Sequence, residues 1–176
     1  MDKRKVKIGI LLGTTRLGRQ SEKVYKYISE LLEHKFSEEV EIFLFDIRFL
    51  FSQFDKNNFS FNKEAIEKYQ DFIKKIDGLI LISPEYNHSF PGELKMVLDL
   101  EYQIYRNKPV IVVGVSSGPI GGARMCESLI PVLRTIGFRV YQYDILFPNI
   151  NNYNFEDSRE EERLLKQLKD FIHTIN

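Results

Sequence analysis

Two stretches of this chain, Leu79-Ile80-Leu81-Ile82 and Val110-Ile111-Val112-Val113, contain no polar side chain. A strand with one face in water alternates apolar and polar residues, whereas a strand covered on both faces reads as a continuous β-branched run. Two such runs in one chain therefore demand a parallel sheet with helices above and below it. Further strands are expected at residues 6–12, at 40–45, where Val40, Ile42 and Leu44 alternate with Glu41 and Phe43 as at a sheet edge, and at 138–147, which is more mixed. Helical spacing separates them. Val24, Tyr27, Ile28, Leu31 and Leu32 form one apolar stripe, with Ser21 as its expected cap and Glu22 at its positive end. Ile66, Tyr69, Ile73 and Ile76 form a second; Leu94, Val97, Leu98 and Tyr102 a third; Met125, Leu129, Val132, Leu133 and Ile136 a fourth, kinked at Pro131 and stopped by Gly137. Leu164, Leu165, Leu168, Phe171, Ile172 and Ile175 form the last.

Strands alternating with helices and joined by right-handed crossovers give an α/β three-layer sandwich. Five strands suggest the flavodoxin-like order 2-1-3-4-5, with the ligand crevice at the carboxyl ends of strands 1 and 3. With 176 residues and no linker, repeat or low-complexity tract, we expect one domain over 1–176. The segment 46–62 is long and rich in Phe. It either covers the core, the favoured reading, or meets a second subunit.

Charge and cysteine content narrow the function. Basic and acidic residues number 25 each, so nothing global attracts nucleic acid or an anionic membrane, although a local patch remains possible. One cysteine, Cys126, excludes an intrachain disulfide and reads as an inert core thiol. Three scattered histidines argue against a zinc site. The apolar run 6–12 is too short for a signal-peptide core, and no stretch nears the ~20 apolar residues that span a bilayer, so a cytoplasmic location is expected.

Function should then sit in the loops after strands 1, 3 and 4, which the fold brings to one edge. The first, 13–21, holds three hydroxyls, Arg16, Arg19 and the amides of a helix start, the chemistry of phosphate capture. Gly13 and Gly18 have Walker A spacing, but Arg19-Gln20 follows where Lys and Ser/Thr are needed, so a nucleoside triphosphatase is disfavoured. The second, 83–92, is stiffened by Pro84 and Pro91, with the amides of Glu85, Tyr86 and Asn87 expected to be free for a planar ligand edge. The third, 114–124, carries four glycines, which let main chain approach a ligand closely.

These residues carry a family resemblance. The chain resembles the NADPH-dependent FMN reductases, a flavodoxin-like family that includes azoreductase, quinone reductase and chromate reductase types. The opening pattern G-S-x-R-x-x-S-x-[NS] is met by Gly13, Thr14, Arg16 and Ser21, with Arg19 where Ser is common. The middle pattern S-P-E-Y-N-x-S-x-P-G is met in full by Ser83 to Gly92. The third, G-x-S-x-G-x-x-G-G-A-R, is met by Gly114, Ser116, Gly118, Gly121, Gly122, Ala123 and Arg124. The resemblance implies that Thr14, Arg16 and Ser21, joined by Arg19, bind the FMN phosphate. It implies that Pro84, Glu85, Tyr86 and Asn87 line the isoalloxazine and its ribityl end, and that Ser116 and Gly118 touch the other ring margin. NADPH or NADH would pass hydride to FMN and a small acceptor would collect it, in a ping-pong scheme with no catalytic side chain. Loop-three amides and Arg124 would stabilise charge on the reduced ring. A homodimer or homotetramer is also implied. His88 stands where the family often has Tyr, as a rim residue or, less often, a proton donor. After Leu98-Asp99, where the family often has an aromatic, come Leu100, Glu101 and then Tyr102. An FMN electron carrier or an FMN-binding interaction protein are the alternatives.

Overall fold

Burial follows the apolar runs strand by strand. In the computed structural model, which describes residues 4–175, the strands β5 (Gly78–Pro84) and β6 (Pro109–Val115) are buried at every position. They lie at the centre of a parallel sheet. β1 (Val6–Leu12) pairs with β5 on one side and with β2 (Val40–Asp46) on the other. β2 exposes Glu41 and Leu44, as an edge should. Beyond β6 lie β7 (Arg139–Val140) and β8 (Ile145–Phe147), both paired with β6. Taking those two as one position, the order is the expected flavodoxin-like 2-1-3-4-5.

The fifth position is not the single strand expected over 138–147. Val140 pairs with Val110 and Ile145 with Val113, so four residues on the outer strand span what two span on β6. The surplus leaves the ladder after Tyr141, whose N–H still reaches the Val110 carbonyl at 2.8 Å.

Alternating side chains split the core into two layers. Ile80 and Ile82 join Ile10, Ile111 and Val113 under α1 (Ser21–Lys35) and α6 (Ser158–His173). Leu79 and Leu81 join Leu11 and Val112 under α3 (Lys63–Lys75), α4 (Gly92–Leu98) and α5 (Ala123–Thr135), the last running through Pro131. α4 stops at Leu98, short of the Tyr102 expected in its stripe, and Tyr102 is 53% exposed.

The Phe-rich segment 46–62 has structure of its own. It forms the short helix α2 (Arg48–Ser52) and a hairpin of β3 (Phe54–Asp55) and β4 (Ser60–Phe61). The Asp55 carboxylate accepts the Asn57 N–H at 2.8 Å, which closes the turn. Ile47 and Leu50 are fully buried in the second core layer; Phe51 and Phe61 pack against that layer, and the Phe61 ring meets those of Phe51 and Phe54 edge to face. Phe59, at the hairpin tip, is 75% exposed.

Candidate functional site

The loops that follow β1, β5 and β6 meet at the carboxyl ends of the strands. Together with residues 150–151, just past β8, they enclose a cleft of about 340 Å3. Arg16, Ser21, Pro84, Glu85, Tyr86 and Ser116 line it, as the sequence predicts.

The first loop is held from beneath. Asp46, at the end of β2, pairs with both terminal nitrogens of Arg19, one of them at 2.9 Å. That guanidinium also donates to the Thr14 carbonyl, and its side chain is 3% exposed. Arg48 donates Nε to the Thr15 carbonyl at 3.1 Å and a terminal nitrogen to the Arg16 carbonyl. Arg19 therefore borders the cleft with its terminal nitrogens engaged by Asp46 and the Thr14 carbonyl.

Thr14 is likewise kept out. Its hydroxyl donates to Glu93 Oε1 at 3.0 Å, so at 3.0 Å from Tyr86 Oη it must be the acceptor of the phenol proton. It also accepts the Arg16 N–H at 3.3 Å. One donation and two acceptances exhaust a hydroxyl. Thr14 is fully buried and absent from the cleft wall. Glu93 Oε1 takes the Thr15 N–H as well, at 3.2 Å.

On the first-loop side the cleft is faced by several donors that meet no internal acceptor among the described residues. Ser21, expected as a helix cap, is instead the first residue of α1; Gln20 occupies the cap position and makes no side-chain capping bond. The Ser21 hydroxyl is buried and has no partner among the described residues. The N–H groups of Gly18, Gln20 and Ser21 also meet no internal acceptor among them. Arg16 is exposed, makes no ion pair among the described residues and lies 5.6 Å above the Tyr86 ring. A 15-residue helix adds about half a positive charge at this end. These are the donors and the partial charge that an oxyanion such as phosphate would require.

The second loop differs from expectation in its amides. The Glu85 N–H is spent on the Val115 carbonyl at 2.9 Å and the Tyr86 N–H on the Ser89 carbonyl at 2.9 Å. Asn87 and His88 form the two-residue tip of a tight hairpin, both with positive φ. Asn87 keeps its N–H but lies outside the cleft wall, exposed. Glu85 Oε2 is buried without a hydrogen-bond partner, and Arg124 stands 4.0 Å from Oε1.

In the third loop the glycines bring chain against chain and not chain against ligand. A Cβ on Gly114 would sit 2.6 Å from the Gly121 carbonyl, and Gly122, at φ +85°, would place one 2.8 Å from the Val115 nitrogen. Gly118 is off the cleft wall; its carbonyl accepts the Asn149 N–H at 2.9 Å and the Ser116 hydroxyl at 3.1 Å. Cys126 is buried behind this loop, and burial pushes its thiol pKa well up.

Ile150 and Asn151 complete the wall, and sequence reasoning missed them. The signal was available: they follow the fifth strand, so the rule that sends ligands to strand carboxyl ends includes them.

The family model for NADPH-dependent FMN reductase matches residues 6–151 of the 176. The chain belongs to this family. Among curated relatives, the NADH:(hydroxy)cinnamate reductase subunit CrdA of Vibrio ruber is 29% identical over 111 residues, covering 61% of this chain and 54% of that protein. A quinone reductase of Escherichia coli is 41% identical over 64 residues, 34% of each chain. The match thus spans about half of one relative and a third of the other. Among solved structures, the flavoenzyme NAD(P)H:(acceptor) oxidoreductase FerB of Paracoccus denitrificans shares the fold over 97% of this chain and 94% of its own, with TM-score 0.72 and 23% identity. The three motif loops and the cleft they form all lie within the family match.

Proposed function

We propose that this chain binds FMN in the 340 Å3 cleft and serves as an NAD(P)H-dependent reductase of a small acceptor such as a quinone, an azo compound, free flavin or a metal oxyanion. One observation carries the reading: a buried Ser21 hydroxyl without a partner among the described residues, on the same cleft wall as the exposed Arg16, at a helix start with unused N–H groups. A buried hydroxyl left unmade is costly, and a phosphate oxygen supplies its partner. Bound FMN would supply the hydride chemistry, taken from the nicotinamide and given to the acceptor in alternate visits.

The chain's own residues then have distinct tasks. Arg16, the Ser21 hydroxyl and the amides of Gly18 and Gln20 hold the phosphate. Thr14 and Arg19 shape the loop and do not touch the ligand. Pro84, Glu85 and Tyr86 border the ring, Ser116 its other margin, and Asn87 and Gly118 support these loops from outside the wall. Arg124 balances the Glu85 carboxylate nearby. The reading includes self-association as a homodimer or homotetramer, with exposed Tyr102 past α4 at the contact; sedimentation velocity measures it.

The deciding experiment is the visible spectrum of the protein with FMN, before and after anaerobic NADPH or NADH. Bound flavin that bleaches supports the reductase. Flavin that binds but stays oxidised with both nucleotides leaves a carrier or binding module. Absence of flavin binding overturns the site.

A further inference from the structure

A second cleft, of about 660 Å3, opens at the other end of the sheet, where β1, β6 and β7 begin. Six cationic side chains border it: Arg4, Lys5, Lys74, Arg106, Lys108 and Arg139. Asp77 is the one carboxylate among its lining residues. In a chain with 25 basic and 25 acidic residues, this is a strong local departure from balance.

Part of that charge has a structural task. Three helices end here, and each helix end carries about half a negative charge. Lys5 Nζ donates to the Ser37 carbonyl just past α1 at 2.6 Å, and Lys108 Nζ to the Ile76 carbonyl that ends α3 at 2.5 Å. Arg139 donates to the Thr174 carbonyl that ends α6 at 3.0 Å. Arg4 pairs with Asp77 at 2.9 Å. Three helix ends and one carboxylate make roughly two and a half negative charges, so among the described residues more than three positive charges remain uncompensated. Lys74 and Arg106 have neither a hydrogen-bond nor an ion-pair acceptor among the described residues. Lys108 is half buried, and desolvation holds its ammonium pKa below the ordinary value despite Asp77. A cation in that state gains when an anion joins it.

We propose that this cleft is a binding site for a compact polyanion, a small molecule bearing a di- or triphosphate. Its cations come from four separate chain segments, those preceding β1 and β6, the end of α3, and β7. They converge on a concavity, which suits a ligand that is surrounded. A flat lipid surface would reach only its rim. The volume matches that of small-ligand sites generally. The site lies at the opposite sheet end from the FMN cleft and stands independently of that assignment.

The test is titration calorimetry of the full chain with inorganic triphosphate and, separately, with ATP. The comparison is the double variant Lys74→Ala/Arg106→Ala, which removes the two side chains without internal partners and so spares the helix ends. Thermal unfolding by circular dichroism verifies that the variant is folded. Expected is saturable binding to the wild type that weakens with salt and falls at least about tenfold in the variant, the equivalent of removing one charge-assisted hydrogen bond. Equal affinity for the two ligands identifies the phosphates alone as the determinant; tighter ATP binding identifies an organic polyphosphate. No heat with millimolar triphosphate, or unchanged affinity in the folded variant, overturns the proposal. So does co-sedimentation with phosphatidylserine vesicles in the absence of triphosphate binding, which would make the patch a membrane contact.

Discussion

Glu93 offers the sharpest test of how the phosphate loop is held. Its Oε1 takes the Thr14 hydroxyl at 3.0 Å and the Thr15 N–H at 3.2 Å, and through Thr14 it fixes the Tyr86 phenol. In Glu93→Ala the Thr14 hydroxyl turns to Tyr86 Oη and finds a new acceptor, so only part of the loss is felt there. The half-buried Thr15 N–H has no such substitute. An unmade donor costs about 1–3 kcal/mol, and the missing charge assistance adds to it, so a total near ~2 kcal/mol is expected. For a domain of this size that lowers Tm by about 4–8 °C. Glu93→Gln keeps an accepting oxygen and should lose about half as much. Thermal unfolding of the three flavin-free proteins by circular dichroism measures both shifts. FMN affinity, read by flavin fluorescence quenching, should fall in the same order. A Glu93→Ala protein within about 1 °C of wild type, or a Glu93→Gln protein less stable than Glu93→Ala, would refute the idea that this carboxylate braces the loop.

Other expectations follow from the same geometry. Arg16→Ala should weaken FMN binding by about 10–100-fold while leaving riboflavin affinity unchanged, since only the phosphate contact is removed; parallel titrations with the two flavins check it. Ser21→Ala should weaken FMN without lowering the Tm of the flavin-free protein, because the hydroxyl has no partner to lose. Gly122→Ala should destabilise by at least about 1–2 kcal/mol, from a left-handed backbone and a Cβ against the Val115 nitrogen, measured by urea unfolding. Asp157 caps α6 through the Arg159 N–H, a bond that holds its carboxyl pKa below 3.8. Its contribution is therefore complete above pH 3.8 and lost as pH falls through the lower folded-state value. The Tm gap between wild type and Asp157→Ala should be open at neutral pH and should narrow progressively as the pH is lowered below 3.8.

The order of the main strands and the place of the candidate cleft were legible because both follow from local pattern. Unbroken runs at 79–82 and 110–113 dictate central parallel strands, and the switch-point rule then names the loops. The direction in which side chains within a loop point was not legible. Arg19 and Arg16 look alike in a phosphate-loop sequence; what separates them is Asp46, 27 residues on. The sequence makes Thr14 a candidate phosphate ligand; that its hydroxyl donates to Glu93, 79 residues away, is visible only in the fold. The Glu85 and Tyr86 amides are lost to Val115 and Ser89 for the same reason: ladder and hairpin partners outcompete an imagined ligand. The break in the fifth strand depended on a two-residue mismatch that only pairing with β6 defines.

These reassignments change the electrostatic account of the site. Two arginines in the loop would nearly neutralise a phosphate dianion by themselves. With Arg19 spent on Asp46, the positive charge facing the proposed ligand would be Arg16 plus the half-charge of α1. Neutral donors must then supply the rest, which gives the Ser21 hydroxyl and the unused amides a physical reason to be left without internal partners. The price is a loop that needs bracing, because exposed carbonyls and a bent backbone do not hold themselves. Asp46, Arg48 and Glu93 provide that bracing from three elements, Asp46 through Arg19 of the loop itself. A partly buried ion pair in this setting fixes geometry more than it adds stability. Charge that a sequence reading would assign to the ligand is used here to hold its cradle in shape.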